Sequence, residues 1–190
     1  MRERACGDAV ELDRRLGLRA PAHIAVNISP ATLTTNFDEL VTTALAEAGL
    51  EPSRLLLELP EGANLDTLNA AKPGLERLRG LGVGLVLDDM GAGSTSLRHL
   101  SALTIGGLKI DATFVSGMIH NPRDHTVVKL LADLGRGLNL PVTAEGVETL
   151  EQLAALAELE VDYAQGYYLG RPQPLDVLSD RLIEVATRVA

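Results

Sequence analysis

GVGLVLDDM, residues 82–90, is a nearly continuous apolar run that ends in two adjacent carboxylates before a final methionine. Its length and its Val and Leu content predict a β-strand, and its lack of polar alternation predicts a strand covered on both faces. Strands of this kind belong to parallel sheets with helices packed against them. Asp88 and Asp89 therefore close the strand at the edge of the sheet where α/β folds bind their ligands.

Five further apolar runs have the same form, and each carries a polar residue at or near its end. They are HIAVN (23–27), LLLE (55–58), GLKID (107–111), VTAEG (142–146) and YAQG (163–166), the last within a strand predicted over 162–170. Segments with helical periodicity separate or flank these runs, including 4–16, 37–50, 66–81, 124–138 and 175–189. Pro73 is expected to break or kink the helix over 66–81, because proline lacks the backbone N–H.

Strands that alternate with helices fit either an open doubly wound sheet or most of a barrel. No GxGxxG or P-loop fingerprint follows the first strand, and polar groups close all the strands rather than one switch point. This distribution favours the α/β fold of a (β/α)8 TIM-type barrel. Because the chain has 190 residues where such a barrel has about 250, we expect an incomplete barrel with about six of its eight strands. Residues 1–190 are expected to form a single domain.

The composition excludes several classes of function. The formal net charge is -9 and only 3% of the residues are aromatic, so we expect no DNA or RNA partner. The single cysteine, Cys6, cannot form an intramolecular disulfide and indicates a reducing compartment. We find no apolar run of membrane-span length and no signal-peptide core, which together predict a cytoplasmic chain without a membrane segment.

The polar groups at the strand ends have the chemistry of a metal site. Asn27, Glu58, Asp88, Asp89 and Glu145 are all hard oxygen donors, which select Mg²⁺, Mn²⁺ or Ca²⁺ over zinc or copper. Any one of them alone is more typical of a helix cap or a solvated loop. The two adjacent aspartates, however, repel each other unless a cation or a proton lies between their carboxylates. Five such donors on successive strand ends favour a metal site.

Lys109 lies inside an apolar strand and allows two interpretations. It either forms a salt bridge with Asp111 or a neighbouring carboxylate, or it holds a water molecule or a phosphate oxygen. Next to an acidic cluster, the lysine would stay charged. Carboxylates and a lysine at strand ends are also found in Mg²⁺-dependent enolising barrels, so the residues alone leave the reaction open.

Six blocks resemble, in order and spacing, the EAL domain, the bacterial cyclic di-GMP phosphodiesterase. They are VNIS (26–29), LLLELPE (55–61), LVLDDMGAGSTSL (85–97), LKID (108–111) with Phe114, TAEGVET (143–149) and YAQGYYLGRP (163–172). The match in order makes an enolising barrel the weaker interpretation. The resemblance implies a (β/α)8 barrel with two Mg²⁺ or Mn²⁺ ions that hydrolyses cyclic di-GMP to linear pGpG.

The same resemblance assigns the metal ligands. It implies that Asn27, Glu58 and Asp88 bind one ion. Asp88 bridges to the second ion, and Asp89 binds that ion as well. In the family, two metals bridged by a carboxylate bind the phosphodiester and activate a shared water, which fits the donors found at the strand ends.

The resemblance also assigns the residues that act on the water. Lys109 orients it, Gln165 positions it, and Glu145 is a general base or a metal-linked carboxylate. Glu61 resembles the glutamate that anchors the loop after the aspartate pair. Two further carboxylates are predicted to lie beside the ligands and support them, namely Asp111 and Glu148.

The chain also departs from the family pattern. The Glu-Ala-Leu motif is absent, and by resemblance the first two strands, with a metal-binding glutamate, would lie before Met1. In the loop after the aspartate pair, Met90, Ala92 and Ser94 replace the usual Phe, Thr and Tyr. We therefore expect the chain alone to be an impaired or partner-dependent phosphodiesterase. The alternative is a catalytically inactive EAL-like module that binds cyclic di-GMP or a protein partner. Free strand edges are expected to invite another chain, in a homodimer or within a parent multidomain signalling protein.

Overall fold

The chain folds around one sheet of six parallel strands. The computed structural model describes residues 2–33, 36–60, 64–92, 100 and 103–188. Each strand pairs with the next one along the chain, so the spatial order equals the sequence order. The strands are β1 (Ile24–Asn27), β2 (Leu55–Pro60), β3 (Gly84–Met90), β4 (Gly107–Ile110), β5 (Val142–Ala144) and β6 (Tyr163–Ala164). The predicted parallel sheet is confirmed.

Helices connect the strands, as parallel pairing of consecutive strands requires. Those within the described ranges are α1 (Arg2–Leu16), α2 (Phe37–Ala48), α3 (Leu65–Gly80), α4 (Ala112–Gly117), α5 (Pro122–Leu138), α6 (Leu150–Glu158) and α7 (Leu175–Arg188). Over the part of the chain that the structure describes, none of the helices is long and apolar enough to cross a membrane.

Aliphatic side chains fill the space between the sheet and the helices. Leu57 and Leu59 of β2 are completely buried, and burial of each contributes about 1.5–3 kcal/mol. Leu57 lines a small apolar cavity together with Cys6 of α1 and Val41 of α2, so this side of β2 faces the helices. Because side chains alternate along a strand, Glu58 points to the opposite, concave face of the sheet. The core therefore places the polar residues of the strands on the concave face.

The sheet curls but does not close. Within the described chain, β1 pairs only with β2 and β6 pairs only with β5. Asn27 on β1 is exposed, and Tyr163 on β6 is 63% exposed. On the outside, α1 and α7 meet through an ion pair of 2.6 Å between Arg15 Nη1 and Asp176 Oδ1. The fold is a six-stranded half-barrel with helices, which confirms the incomplete TIM-type barrel.

Two elements differ from the expectation based on sequence. The helix α3 is continuous through Pro73 rather than broken. Proline has no N–H to donate to the carbonyl of Asn69, and Asn69 is exposed to water. The strand β6 has two residues rather than nine, because its partner β5 ends at Ala144. Beyond β6 the chain turns instead of extending, with the N–H of Leu169 donating to the carbonyl of Gly166 at 3.1 Å.

Candidate active site

Charged side chains from four neighbouring strands meet on the concave face of the half-barrel. Glu58 and Asp88 lie near the ends of β2 and β3, Lys109 lies within β4, and Glu145 directly follows β5. Since the strands are parallel, their carboxyl ends lie side by side, and residues far apart in sequence become neighbours. The structure thus brings together four of the residues that the sequence predicts to form the site.

Lys109 is the centre of this group. Its Nζ lies 2.8 Å from Glu58 Oε1, 3.1 Å from Asp88 Oδ1 and 2.6 Å from Glu145 Oε1. The lysine and the first two carboxylates are buried, with exposed fractions of 4% for Lys109, 6% for Glu58 and 7% for Asp88. The three donors of one ammonium group therefore match three carboxylates. We name Lys109 with Glu58, Asp88 and Glu145 the Lys109 cluster.

The cluster keeps its lysine charged. Burial disfavours the ammonium form, but hydrogen bonds to Glu145 and Glu58 outweigh it, and the pKa of Lys109 is raised above its ordinary value. Three carboxylates and one ammonium group leave a net formal charge of about -2 when all are ionised. The site therefore carries negative charge that its own lysine does not neutralise.

Two carboxylates of the site hold protons more strongly than usual. Burial, the largest cause, raises the pKa of Glu145, although the hydrogen bond with Lys109 works in the opposite direction. Burial also raises the pKa of Asp89, followed by the charges of Asp88 and Asp111. Partial burial and neighbouring carboxylates thus disfavour the charged form of both residues, and an added cation would favour it.

A local irregularity lets the two adjacent aspartates face the same site. In a regular strand, Asp88 and Asp89 would point to opposite faces of the sheet. The register between β3 and β4 shifts between Leu87 and Met90, an irregularity of the β-bulge type. Asp89 has a φ of 57°, a left-handed conformation that costs a non-glycine residue about 1–3 kcal/mol. As a result, ligand oxygens of Asp88, Asp89 and Glu145 lie within 4.8 Å of one another.

Asp111 belongs to the start of a short helix that the sequence interpretation missed. Its Oδ1 accepts a hydrogen bond of 2.7 Å from the backbone N–H of Thr113, so Asp111 is the N-cap of α4. The carboxylate also contributes to the raised pKa of Asp89, which places it beside the aspartate pair. An aspartate followed by Ala112 and Thr113 is a capping signal that could have identified the helix.

The remaining predicted site residues are exposed or lie outside the described residues. Asn27 is exposed on the edge strand β1, in register with Glu58. The side chain of Gln165 is exposed just after β6, and its backbone N–H donates to the carbonyl of Ala144 at 2.8 Å. Glu148 is exposed in the turn that follows Glu145. Glu61 lies outside the described residues.

Gln152 of α6 is a buried polar residue that the sequence interpretation did not single out. Its Oε1 accepts hydrogen bonds from the backbone N–H groups of Glu148 at 2.7 Å and Thr149 at 3.0 Å. Its Nε2 donates to the carbonyl of Val115 in α4 at 3.3 Å. Gln152 thus fastens the turn after Glu145 to two helices. The Thr-x-x-Gln spacing of a capping box was the signal for it.

Replacing Gln152 by leucine is expected to lower the free energy of unfolding by about 2–4 kcal/mol, because two N–H groups and one carbonyl lose their partner. Urea denaturation followed by circular dichroism measures this difference. Gln173→Leu is the matched control, since Gln173 is exposed, and its stability should stay within about 0.5 kcal/mol of the unaltered chain. Equal stability of the two variants would contradict the role given to Gln152.

Comparison with known proteins identifies the family. A sequence model described as "EAL domain" matches residues 1–172. The chain belongs to the EAL domain family. The bifunctional diguanylate cyclase/cyclic di-GMP phosphodiesterase MucR of Pseudomonas aeruginosa is 39% identical over 163 residues, which cover 85% of this chain and 24% of MucR. This EAL domain spans 21% to 24% of the length of three of the curated relatives that it matches.

Solved structures of EAL proteins share the fold. The phosphodiesterase of MucR in complex with c-di-GMP superposes with a TM-score of 0.86 at 36% identity, over 93% of this chain and 71% of that one. The manganese/cy-diGMP complex of BlrP1 from Klebsiella pneumoniae gives a TM-score of 0.77 at 28% identity, over 90% of this chain and 44% of that one. The half-barrel of this EAL domain therefore corresponds to part of the TIM-type barrel of these neighbours.

The acidic residues of this EAL domain fit a divalent metal ion. Asp88, Asp89 and Glu145 offer carboxylate oxygens only, which are the ligands that hard divalent cations prefer. Their close spacing within 4.8 Å is unfavourable for like charges, and the single charge of Lys109 offsets only part of it. The donor set and its excess charge both suit a bound cation.

Proposed function

We propose that this EAL domain hydrolyses cyclic di-GMP to linear pGpG with two divalent ions, Mg²⁺ or Mn²⁺. The observation that carries the proposal is the group of Asp88, Asp89 and Glu145 beside the buried Lys109. A protein with a net charge of -9 needs such cations in order to accept an anionic dinucleotide. The cyclic di-GMP phosphodiesterase activity in the name of MucR supports the choice of substrate.

The family resemblance supplies the proposed ligands, and their positions on the strands are compatible with it. Asn27, Glu58 and Asp88 would hold one ion, since Asn27 and Glu58 are in register on neighbouring strands. Asp88 and Asp89 would hold the other, with the bulge in β3 turning both carboxylates to one side. Ions held in this way supply positive charge to a phosphodiester and acidify a water molecule.

The protein's own residues would then orient the water molecule and accept its proton. Lys109, kept as an ammonium group, would donate a hydrogen bond to the water or to a phosphate oxygen once it releases one of its three carboxylates. Glu145, whose pKa is raised, takes the proton of the water as it attacks phosphorus. Gln165 positions the water from the end of β6. The 3′ oxygen leaves opposite the attacking oxygen and takes up a proton from solvent.

The direct test is incubation of the purified chain with cyclic di-GMP and Mn²⁺, with separation of the nucleotides by liquid chromatography. We expect pGpG to accumulate slowly and to stop accumulating when EDTA removes the metal. Glu145→Gln should slow the reaction by about 100-fold, because an amide cannot accept the proton. A rate that is unaffected by EDTA would contradict a metal-dependent phosphodiesterase.

The open side of the half-barrel favours the second candidate, a catalytically inactive EAL-like module. The proposed ligand Asn27 and the water-positioning Gln165 lie beside the free strand edges and are exposed. A functional group on an exposed edge is held less firmly than one that is packed on all sides. Calorimetric binding of cyclic di-GMP without formation of pGpG would favour this module over the enzyme. A turnover rate like that of the MucR phosphodiesterase would exclude it, and would also exclude an impaired enzyme.

We further propose that residues 1–190 act as one domain of a longer cytoplasmic signalling protein, in which the first two barrel strands of the family lie before Met1. The small share of the relatives' length that the chain covers, 21% to 24%, supports such a parent protein. Within the described residues, β1 and β6 each pair on one side only, so their other edges would take up those two strands or, in their absence, a second copy of the chain in a homodimer. The free thiol of Cys6 is compatible with a reducing compartment. Sedimentation analysis would test for the dimer.

A further inference from the structure

We propose that Lys109 is the resident cation of the metal-free site and that it gives up Asp88 and Glu145 when a metal ion binds. This inference rests on the proposed metal site and concerns how that site is loaded. Lys109 would then act both as a water-orienting residue and as an internal competitor of the metal. Metal binding and movement of the lysine side chain would be one coupled event.

The first argument is the sharing of ligands. Asp88 and Glu145 belong to the acidic group whose ligand oxygens lie within 4.8 Å of one another. The same two carboxylates lie 3.1 Å and 2.6 Å from Lys109 Nζ. An ammonium group in hydrogen-bond contact occupies the space next to those oxygens that a metal ligand bond of about 2.0–2.6 Å requires. Lysine and metal therefore compete for the charge and the lone pairs of the same two carboxylates.

The second argument is burial. Lys109 and Asp88 are 4% and 7% exposed, so water screens their charges poorly. Without any cation, the carboxylates of the Lys109 cluster would face one another uncompensated, which is strongly unfavourable in the protein interior. With both a divalent ion and the ammonium group in contact with the same carboxylates, two cations would repel each other. The site is therefore best satisfied by one cation or the other at these oxygens.

The third argument is that the ammonium group of Lys109 can move while it keeps one of its partners. Its four-carbon side chain carries a compact charge on a flexible stem, so the ammonium group moves without movement of β4. Glu58, at 2.8 Å, is a partner of Lys109 but lies outside the group of Asp88, Asp89 and Glu145. Because Glu58 is itself a proposed ligand of the other ion, the lysine can retain this contact only while the ion at Asp88 and Asp89 enters. The structure thus defines the contacts that Lys109 has before exchange and the contact with Glu58 that it would keep first.

The test is Mn²⁺ binding by isothermal titration calorimetry after removal of metal with a chelator. Lys109→Met removes the competing charge, and we expect its Mn²⁺ dissociation constant to fall by at least about ten-fold. Lys129→Met is the matched control, because Lys129 pairs with Asp133 on the surface of α5, and we expect a change of less than about two-fold. Equal or weaker binding in Lys109→Met, or no binding in any of the proteins, overturns the proposal.

A second measurement uses the unaltered chain, so its result does not depend on whether Lys109→Met folds. The chain has three lysines, of which Lys72 and Lys129 are exposed. With nitrogen-15 in the lysine side chains, the protected ammonium group of Lys109 should give a sharp signal in metal-free protein, and Mg²⁺ should shift the signal or broaden it through faster proton exchange. An unchanged Lys109 signal at Mg²⁺ saturation overturns the exchange.

These readouts separate the inference from the proposed function. Calorimetry and nuclear magnetic resonance follow the metal and the lysine, and neither requires turnover. If Mn²⁺ displaces Lys109 while cyclic di-GMP remains intact, the exchange stands and the phosphodiesterase proposal fails. If pGpG forms while Lys109→Met binds Mn²⁺ no more tightly than the unaltered chain, the phosphodiesterase stands and the exchange fails.

Discussion

Asp88→Asn is expected to reduce Mn²⁺-dependent hydrolysis of cyclic di-GMP by about 100-fold or more, since even residues that only support metal ligands cost 10–100-fold. Asp88 is shared by the Lys109 cluster and the acidic group, and its Oδ1 also accepts a hydrogen bond of 3.1 Å from the backbone N–H of Asp89. An amide supplies one charge less and bridges two cations poorly. The N–H₂ group of the asparagine would also face the ammonium group of Lys109, and neither group accepts a hydrogen bond.

Two measurements check this expectation, the rate of pGpG formation and the Mn²⁺ dissociation constant. The matched control is Asp133→Asn, which removes an exposed carboxylate on α5 that pairs with Lys129. Its rate should stay within about two-fold of the unaltered chain, as expected for a surface ion pair. If Asp88→Asn and Asp133→Asn retained the same rate and the same affinity, Asp88 would not be a metal ligand.

Gly166→Ala is expected to lower the free energy of unfolding by about 3 kcal/mol or more, because overpacking against a rigid neighbour leaves no room for relaxation. A Cβ at this position would lie 2.2 Å from both the backbone N and the backbone O of Val147. Those atoms hold the turn after β5, since the N–H of Val147 donates to Gln165 and its carbonyl accepts from Tyr168, each at 3.0 Å. The added methyl group must push apart the backbones that carry Glu145 and Gln165.

Chemical denaturation measures the effect, and a glycine with free space supplies the control. Nothing lies within 4 Å of a Cβ added to Gly137 in α5, so Gly137→Ala should stabilise the chain by about 0.5–1 kcal/mol. The two substitutions are chemically identical and should act in opposite directions. A Gly166→Ala variant as stable as the unaltered chain would show that the two turns are not packed as closely as the structure indicates.

The strands and their order were predictable because their signal is local. An apolar run such as 84–87, bounded by turn residues and rich in Val and Leu, predicts a strand covered on both faces. The boundaries were less predictable where a neighbour decides them. The strand β6 stops after Ala164 because β5 has ended, and the sequence of 162–170 contains no sign of the length of its partner. The helix α3 continues through Pro73, and Asn69, whose carbonyl lacks a donor there, is an exposed residue.

The residue types of the candidate site could also be predicted from the sequence, although the partners of each residue could not. Oxygen donors at strand ends indicated a cation, and an apolar strand around Lys109 indicated a paired lysine. The two alternatives for that pairing, Asp111 or another carboxylate, could not be separated from sequence. The structure selects Glu58, Asp88 and Glu145, all on strands next to or near β4. Asp111 caps α4 instead.

By itself, the sequence determined a parallel α/β sheet whose polar residues gather at one edge, since apolar runs and helical periodicity are properties of short segments. Tertiary structure alone decided how these residues face one another. Asp88 and Asp89 converge only because pairing with β4 slips at the end of β3 and Asp89 takes a positive φ. Lys109 meets three carboxylates only because four strands curl around it. Such contacts depend on register and curvature, which arise between segments and are not encoded within any one of them.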